Sequence, residues 1–321
     1  MTRASAAFGL AALLFSFAAA AREATITVHA GKADSANYAL ARQFAEALAL
    51  AGNGAFTLVV EESQGSVQNV MDSIRLDGDY IFTANSATIA QARRGDKPFV
   101  KNAHYDEIRA LFPVPAQTFH WIVRQDSGIK TMANLAGQPF IPGSKGSLGE
   151  WVTDEVLQVL GIDKSVQLID ADISGAGAAL KDKQVGGFTA TGSFPMVTVS
   201  ELASVLPIRI LSLPQPAILR MHAVEDSTSA VVIPRGTYPG IDYDVTTLSV
   251  PAGAYTTISM TNATAYAITK AFWSQRFDLA KKHPVWTAVI PSRLTTLGAR
   301  LHPGALRYYS EAGIKVPANL R

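Results

Sequence analysis

Short loops of glycine, serine and lysine follow several predicted strands, and these loops contain the residues best suited to bind a ligand. The loop 143–149 reads Gly-Ser-Lys-Gly-Ser-Leu-Gly and lies between a predicted strand and a predicted helix. Backbone N–H groups at the start of a helix bind carboxylate and phosphate groups. The same loop also fits a strand–helix turn without a ligand, and on its own it gives the two interpretations equal weight.

Lys32 is a candidate for anion binding, whereas the short charge runs are most simply solvated. Lys32 lies in the loop after the first predicted strand, where a cation would face a cleft at the carboxyl edge of the sheet. It is either a partner for an anion or a solvated surface lysine. The pair Arg93-Arg94 is most simply the solvated end of a helix.

Two motifs point towards an enzyme, and both are incomplete. Ser127-Gly128-Ile129-Lys130 matches the S-x-x-K motif of penicillin-binding enzymes, but the companion motifs S-D-N and K-T-G do not occur. Ser147 does not fit G-x-S-x-G because Lys145 takes the first glycine position. A secreted serine hydrolase that uses Ser127 with Lys130, or Ser147, stays the alternative function. A receptor that presents its ligand to a sensor protein is a third.

Composition excludes several other classes of protein. The 6 histidines stand far apart and form no short metal-binding pair such as H-E-x-x-H, so we predict no metal site. We also predict no cofactor and, outside the hydrolase alternative, no catalytic residue. The 28 basic and 26 acidic side chains are scattered, and without a basic stripe we predict no nucleic-acid partner. Because the chain has no cysteine, its stability does not depend on disulfides.

The first residues have the three-part pattern of a secretory signal peptide. Met1-Thr2-Arg3 is a short cationic start, residues 6–18 are apolar, and Ala19-Ala20-Ala21 provides small residues before Arg22. The apolar run is shorter than the roughly 20 residues of a membrane-spanning helix. We therefore predict cleavage near Ala21 and export of a soluble protein to the periplasm.

Strands alternate with helices along the remaining chain, whose length favours two domains. The predicted strands are 25–28, 56–60 and 80–82, followed by 120–123, 139–141, 166–169 and 187–189. Pro113 and Pro115 separate the two sets, and the segment 234–250 is predicted to be a long return crossover. The pattern predicts an α/β fold of two lobes, each a mostly parallel sheet flanked by helices, with a ligand cleft between the lobes.

Longer strings of residues are typical of one known family. They include Ser63-Gln64-Gly65-Ser66-Val67-Gln68-Asn69, Thr191-Gly192-Ser193-Phe194-Pro195, Val250-Pro251-Ala252-Gly253-Ala254-Tyr255, and Leu301-His302-Pro303-Gly304-Ala305 with Tyr308-Tyr309-Ser310-Glu311-Ala312-Gly313. Taken in this order behind a signal peptide, they make the chain resemble the extracytoplasmic solute receptors of the TAXI class (TRAP-transporter-associated, extracytoplasmic immunogenic proteins).

The resemblance implies a type II-like, two-lobed periplasmic binding protein without enzymatic activity. Such a receptor captures a small carboxylate-bearing solute by lobe closure and delivers it to TRAP permease subunits in the membrane, and we expect it to be monomeric. The implied domains are the signal peptide 1–21, a first lobe from 22–114 and 251–321 with the C-terminal helices, and a second lobe 115–250. The implied ligand-binding residues are Gly31, Lys32, Ala33, Asn37, Tyr38, Ser63, Gly65, Ser66, Asn85, Ser86, Gly146, Ser147, Gly149, Thr191 and Gly192.

The chain departs from the family in two of these loops. In the first loop Lys32 and Ser35 replace glycines and Asn37 replaces a tyrosine, while Ala84-Asn85-Ser86 stands where the family commonly has Gln-Ser-Asp. The lost carboxylate removes a partner for a ligand ammonium, and the gained lysine adds one for an anion. We therefore expect a dicarboxylate or oxo-acid rather than an amino acid, with Lys32 donating a charge-assisted hydrogen bond worth roughly 1.5–3 kcal/mol.

Overall fold

The computed structural model of the chain describes residues 24–33, 35–52 and 56–321. The predicted signal peptide, residues 1–21, lies outside the described residues. Within the described ranges, no helix combines the length and the apolar character that a membrane crossing requires.

The described strands form one mixed sheet. They are β1 (Ala24–His29), β2 (Phe56–Glu61), β3 (Tyr80–Asn85), β4 (Ile108–Arg124), β5 (Pro139–Ile141), β6 (Gln167–Leu168), β7 (Gly187–Gly192), β8 (Ile208–Leu211), β9 (Ser229–Ile233) and β10 (Val245–Thr257). Their order is β2-β1-β3-β10-β4-β7-β5-β6, with β8 beside β4 and β9 beside β10. Every residue of β3 is buried, as expected for a strand covered on both faces.

Helices cover both faces of this sheet. They are α1 (Ala36–Gly52), α2 (Ser66–Ser73), α3 (Ser86–Arg94), α4 (Leu148–Val159), α5 (Ala176–Lys181), α6 (Val197–Val205), α7 (Gln215–Val224), α8 (Asn262–Lys282) and α9 (Pro303–Glu311). Helix α1 buries Leu40, Phe44 and Leu48, which recur every four residues and so share one face. The fold is thus the predicted α/β arrangement.

Two long strands run through both halves of the sheet. Strands β4 and β10, of 17 and 13 residues, pair antiparallel from Ile108 opposite Thr257 to Thr118 opposite Ser249. On its other edge β10 pairs with β3, whereas the second half of β4 pairs with β7. These two strands therefore connect the lobes.

The prediction that Pro113 and Pro115 separate two sets of strands is wrong, because both prolines lie inside β4. The register of β4 against β10 shifts between Val250 and Ala252, which face Gln117 and Val114 respectively. Pro115 lies within this irregular stretch, where a residue without an N–H donor is tolerated.

Buried apolar residues form separate cores in the two lobes. The core of the first lobe draws on residues 26–114 and 252–320, and in it the rings of Phe112 and Phe272 stack with centroids 3.9 Å apart. Two further clusters draw on residues 119–250, and Ala87 at the start of α3 joins one of them. We retain 22–114 with 251–321, and 115–250, as the proposed extents of the lobes.

The segment 193–250 is more regular than its sequence indicates. Helices α6 and α7 and strands β8 and β9 occupy part of it, and the predicted crossover 234–250 is wrong from Val245 onward, where β10 begins. Thr247 in β10 is buried and donates its hydroxyl to the carbonyl of Phe119 at 2.7 Å. Polar residues satisfied in this way interrupt the apolar pattern by which strands are recognised.

The string His302-Pro303-Gly304 starts α9 against α8. The ring nitrogen Nδ1 of His302 accepts the N–H of Gly304 at 3.1 Å, and Pro303 takes the first helical position, where its missing N–H is harmless. A Cβ added to Gly304 would stand 2.2 Å from the carbonyl oxygen of Asn262. Only glycine permits this approach of the two helices.

We predict that Gly304→Ala lowers the free energy of unfolding by about 3 kcal/mol, because the added methyl group overlaps backbone that cannot move locally. Urea denaturation of the mature protein measures the change. Gly175→Ala is the matched control: Gly175 has φ −87° and no heavy atom within 4 Å of an added Cβ. Equal stability of the two variants would contradict the packing argument.

Candidate functional site

The carboxyl ends of β1, β2 and β3 bring three of the predicted loops side by side. The N–H of Ser63 donates to the carbonyl of Gly31 at 3.2 Å and joins the first loop to the second. Below them, the amide nitrogen of Asn69 donates to the carbonyls of Ala30 at 2.8 Å and Thr83 at 2.9 Å. Asn69 is buried, so it ties β1 to β3 beneath the loops. The site prediction omitted this residue although it ends the string 63–69.

Helices α2 and α3 both begin at this edge. The residue before α2 is Gly65, whose φ of 101° favours glycine, and the residue before α3 is Asn85. Gly65 has no side chain to cap α2, and the side chain of Asn85 makes no hydrogen bond to the first turn of α3. Instead, the amide nitrogen of Asn85 donates to Ser66 Oγ at 2.9 Å. The positive ends of two helix dipoles therefore lie beside the buried Asn85.

The loop 143–149 of the second lobe is largely satisfied by its own chain. Ser147 Oγ accepts the N–H of Glu150 at 3.2 Å, and the carboxylate of Glu150 accepts the N–H of Gly146 at 2.5 Å. A Cβ on Gly149 would stand 2.9 Å from Thr191 Oγ1. The loop thus brings Gly149 to the end of β7. The N–H of Gly146, which was predicted to bind an anion, instead binds the carboxylate of Glu150.

The lobes touch at the mouth of the cleft. Lys32 Nζ lies 2.5 Å from Asp172 Oδ2, and the two side chains are 37% and 49% exposed. The hydrogen bond from Lys32 holds the pKa of Asp172 below its usual range. Nearby, a Cβ on Gly192 would stand 3.1 Å from the Cβ of Ala36 at the start of α1. No sequence pattern pointed to Asp172, which lies 140 residues from its partner.

A second ion pair joins the lobes at the end of α3. Arg94 Nη2 lies 3.3 Å from Glu225 Oε2, and Arg94 Nε lies 2.6 Å from Asp96 Oδ2. Glu225 is buried, whereas Arg94 is about half exposed. The prediction of Arg93-Arg94 as a solvated helix end is therefore wrong, because the fold brings carboxylates and carbonyls to these arginines.

Three buried polar atoms at the junction of the lobes have no hydrogen-bond partner among the described residues. They are Asn85 Oδ1, Gln117 Nε2 and Thr191 Oγ1. Asn85 pairs with Ala252 in the sheet, and Gln117 with Val250, so both flank the same short stretch of β10. Thr191 pairs with Phe119, two residues along β4 from Gln117. The register therefore gathers these three groups where β3, β10, β4 and β7 meet, and the site prediction omitted Gln117.

Several other predicted residues have partners inside their own lobe. The hydroxyl of Tyr38 donates to the carbonyl of Val60 at 3.4 Å, and its ring packs against the first core. The N–H of Ala33 donates to Glu62 Oε1 at 2.6 Å.

The predicted residues Asn37 and Ser86 also contact other residues of the fold. A Cβ on Gly31 would stand 3.5 Å from the Cβ of Asn37, and Ser86 Oγ donates to the carbonyl of Pro251 at 3.4 Å. The role of these residues in binding a ligand stays a prediction.

The hydrolase alternative finds no support in the geometry. Ser127 Oγ donates to the carbonyl of Arg124 at 2.7 Å and accepts the N–H of Ile129. Ser147 Oγ caps α4. Among the described residues, no lysine or histidine lies within hydrogen-bond distance of either hydroxyl. Neither serine therefore has a base to activate it.

A buried histidine supports the wall of the cleft from within the second lobe. His120 Nε2 accepts the hydroxyl of Tyr238 at 2.8 Å, and Tyr238 in turn accepts the N–H of Met196 at 3.0 Å, just after β7. His120 Nδ1 lies 3.2 Å from the carbonyl of Thr118 and donates to it. Burial lowers the pKa of His120 to about 4 and raises that of Tyr238 to about 12, so both stay neutral at physiological pH.

The fold defines the class of protein to which the chain is similar. BugD, a periplasmic binding protein, superimposes with a TM-score of 0.55 at 14% identity over 91% of this chain and 99% of its own. MatC from Rhodopseudomonas palustris, solved with bound malate, gives 0.55 at 14% identity over 90% and 96%. A protein described as a periplasmic transporter gives 0.52 at 13% identity over 90% and 92%. The chain shares their two-lobed α/β fold.

The family follows from the sequence match. The NMT1-like family matches residues 28–313, which is most of the chain, and the protein therefore belongs to the NMT1-like family.

We predict that the neutral His120 makes stability depend on pH. Its folded pKa of about 4 lies below the ordinary 6.5, so the unfolded chain takes up the proton first as the pH falls. The free energy of unfolding therefore keeps its highest value above pH 6.5 as far as His120 is concerned, and it falls by about 3 kcal/mol between pH 6.5 and 4.

Urea denaturation of the wild type and of His120→Gln at several pH values isolates this contribution, because the buried His302 titrates alike in both proteins. The difference in stability between them should shrink as the pH falls. The exposed His104 provides the control variant, His104→Gln. A difference that is constant across this range would refute the assignment.

Proposed function

We propose that the chain is an exported, periplasmic solute-binding protein that captures a small carboxylate-bearing solute between its two lobes. The proposal includes the residues around the cleft as the binding site and no catalytic step. It also includes delivery of the solute to TRAP permease subunits, which rests on the resemblance to the TAXI class. The two-lobed fold shared with BugD and MatC supports the proposal, as does the absence of an activated serine at the two candidate positions.

The unpartnered atoms at the junction of the lobes carry the proposal. A buried polar atom without a hydrogen bond costs about 1–3 kcal/mol, so three of them at one place favour a ligand that supplies the missing partners. Asn85 Oδ1 accepts, Gln117 Nε2 donates, and Thr191 Oγ1 can do either. A solute that lies there would touch both lobes and so favour their closure.

The chemistry of these groups indicates the kind of solute. Gln117 and the starts of α2 and α3 offer positive partial charge to a carboxylate, while Asn85 Oδ1 requires a hydroxyl or another donor. The buried carboxylate of the described chain, Glu225, is paired with Arg94 and is not offered to a ligand ammonium. A small hydroxy- or oxo-acid with one or two carboxylates fits better than an amino acid. The malate bound by MatC is a compound of this kind.

Lys32 has a different role in this proposal from the one expected from the sequence. Because its ammonium is bound to Asp172 across the mouth of the cleft, we assign the pair as a latch that holds the lobes together over the solute. The buried groups hold the solute itself.

A panel of carboxylic acids tests the function. Malate, other hydroxy-acids, oxo-acids and dicarboxylates are each added to the mature protein, and a ligand raises the melting temperature because binding stabilises the folded state by RT ln(1 + [L]/Kd). Thr191→Val, which removes one unpartnered hydroxyl at constant size, should weaken the binding of the best ligand about tenfold in calorimetry.

Thr256→Val is the matched control. Thr256 Oγ1 is also buried without a partner, but it lies in the first lobe opposite Arg109, away from the cleft. Its loss should leave the affinity unchanged. Equal effects of the two variants would refute the proposed site. Covalent labelling by a fluorophosphonate or a β-lactam would instead establish the hydrolase.

The latch predicts a kinetic effect. Asp172→Asn should raise the dissociation rate of the solute about two- to fivefold, since a half-exposed ion pair contributes little more than 1 kcal/mol. Stopped-flow binding measures the rate. Asp170→Asn is the control, because Asp170 forms an exposed pair with Lys145 within the second lobe. Tighter binding by Asp172→Asn would mean instead that Asp172 competes with the solute for Lys32.

A further inference from the structure

A cavity lies in the first lobe, away from the junction of the two lobes. It has a volume of about 430 Å³ and is lined by Arg93, Asp106, Gly298, Arg300 and Asn319, among others. Helix α3 begins at the junction of the lobes with Ser86, and Arg93 near its end lines this cavity, roughly 11 Å away at 1.5 Å per residue. The cavity is therefore separate from the proposed solute site.

Arg93 is fixed in the wall of this cavity. Its Nη1 donates to the carbonyl of Gly298 at 2.6 Å, and its Nε donates to the carbonyl of Tyr105 at 3.4 Å. Its nearest carboxylate, Asp106, is 3.6 Å from Nε and 78% exposed, whereas the Arg93 side chain is only 26% exposed. A mostly buried guanidinium thus faces a carboxylate that is largely hydrated.

Two more guanidinium groups add positive charge here. Arg300 is exposed at the cavity, and among the described residues none forms an ion pair with it. Arg109 donates to the carbonyls of Asp106 and Ile108. Burial lowers the pKa of Arg93 and of Arg109, and the charge of Arg300 lowers both further.

The acidic groups do not balance this cluster. Asp106 is the carboxylate that lines the cavity, and the neighbouring Glu107 is held by His104 at 3.0 Å. Two cations, Arg93 and Arg300, therefore line the cavity with one largely exposed carboxylate, and Arg109 adds positive charge beside it. An anion bound there would relieve their mutual repulsion.

We infer that this cavity binds a small oxyanion, a carboxylate or phosphate group, between Arg93 and Arg300. Guanidinium groups match both kinds of anion because they donate two parallel hydrogen bonds in one plane. Asn319 adds a side-chain amide at the same cavity. The inference does not depend on the proposed solute or its site.

Calorimetric titration with inorganic phosphate and, separately, with citrate tests the inference on the mature protein. Both titrations are run at constant ionic strength to remove general screening effects. Binding of either anion is expected, and the anion that binds more tightly identifies the group that the cavity prefers. Arg300→Gln should weaken that binding at least about tenfold, because it removes a charged donor while leaving the bonds of Arg93 intact.

Two control variants separate this site from other sources of binding. Arg220→Gln removes an exposed arginine of the second lobe and should leave the affinity unchanged. Thr191→Val should also leave the affinity for the anion unchanged. Citrate that bound in the proposed solute site would bind this variant more weakly, whereas citrate that binds at Arg93 and Arg300 would not. The inference is wrong if neither anion binds at about 10 mM, a concentration at which even weak sites fill, or if Arg300→Gln binds like the wild type.

Discussion

Strands β4 and β10 join the two lobes in one hydrogen-bonded sheet, and the residues of the proposed solute site lie on these strands or pair with them. Asn85 is fixed against β10 from one side, and Thr191 is fixed against β4 from the other. Because the two strands also pair with each other, a displacement of one lobe must bend them rather than break the sheet. Their register shift lies at the junction, beside the unpartnered Gln117.

The site combines deep polar groups with a charged mouth. Asn85 and Gln117 are each 2% exposed, whereas Lys32 and Asp172 are 37% and 49% exposed. Hydrogen bonds in the buried layer are strong because water does not compete there, and a missing partner is correspondingly costly. Ion pairs at the mouth are weakened by solvent. We therefore assign recognition of the solute to the buried polar groups and closure of the lobes to the ion pair of Lys32 and Asp172.

Carboxylates of the chain already occupy several donors that the sequence offered to an anion. Asp172 binds Lys32, Glu62 binds the N–H of Ala33, and Glu150 binds the N–H of Gly146. By contrast, Arg93 at the cavity lies beside the largely exposed Asp106, and within the described part of the chain Arg300 forms no ion pair. The carboxylate that binds Lys32 lies 140 residues away in the sequence, so charge counts along the chain did not distinguish Lys32 from the arginines at the cavity.

The alternation of strands and helices, the two-lobed α/β class, and the presence of loops at the carboxyl ends of the first strands could be predicted from the sequence. These features follow from local patterns: apolar periodicity, glycines at loop tips, and strings such as His302-Pro303-Gly304 that start a helix. It also pointed to Asn85 and Thr191, although not to Gln117 or Asn69.

Three features became apparent from the folded structure alone: Pro113 and Pro115 lie within a strand, Val245 begins another, and Lys32 contacts Asp172. Each of these depends on strand register or on contact between residues far apart in the chain. A local pattern carries no information about such partners, because they are selected by the packing of the whole sheet.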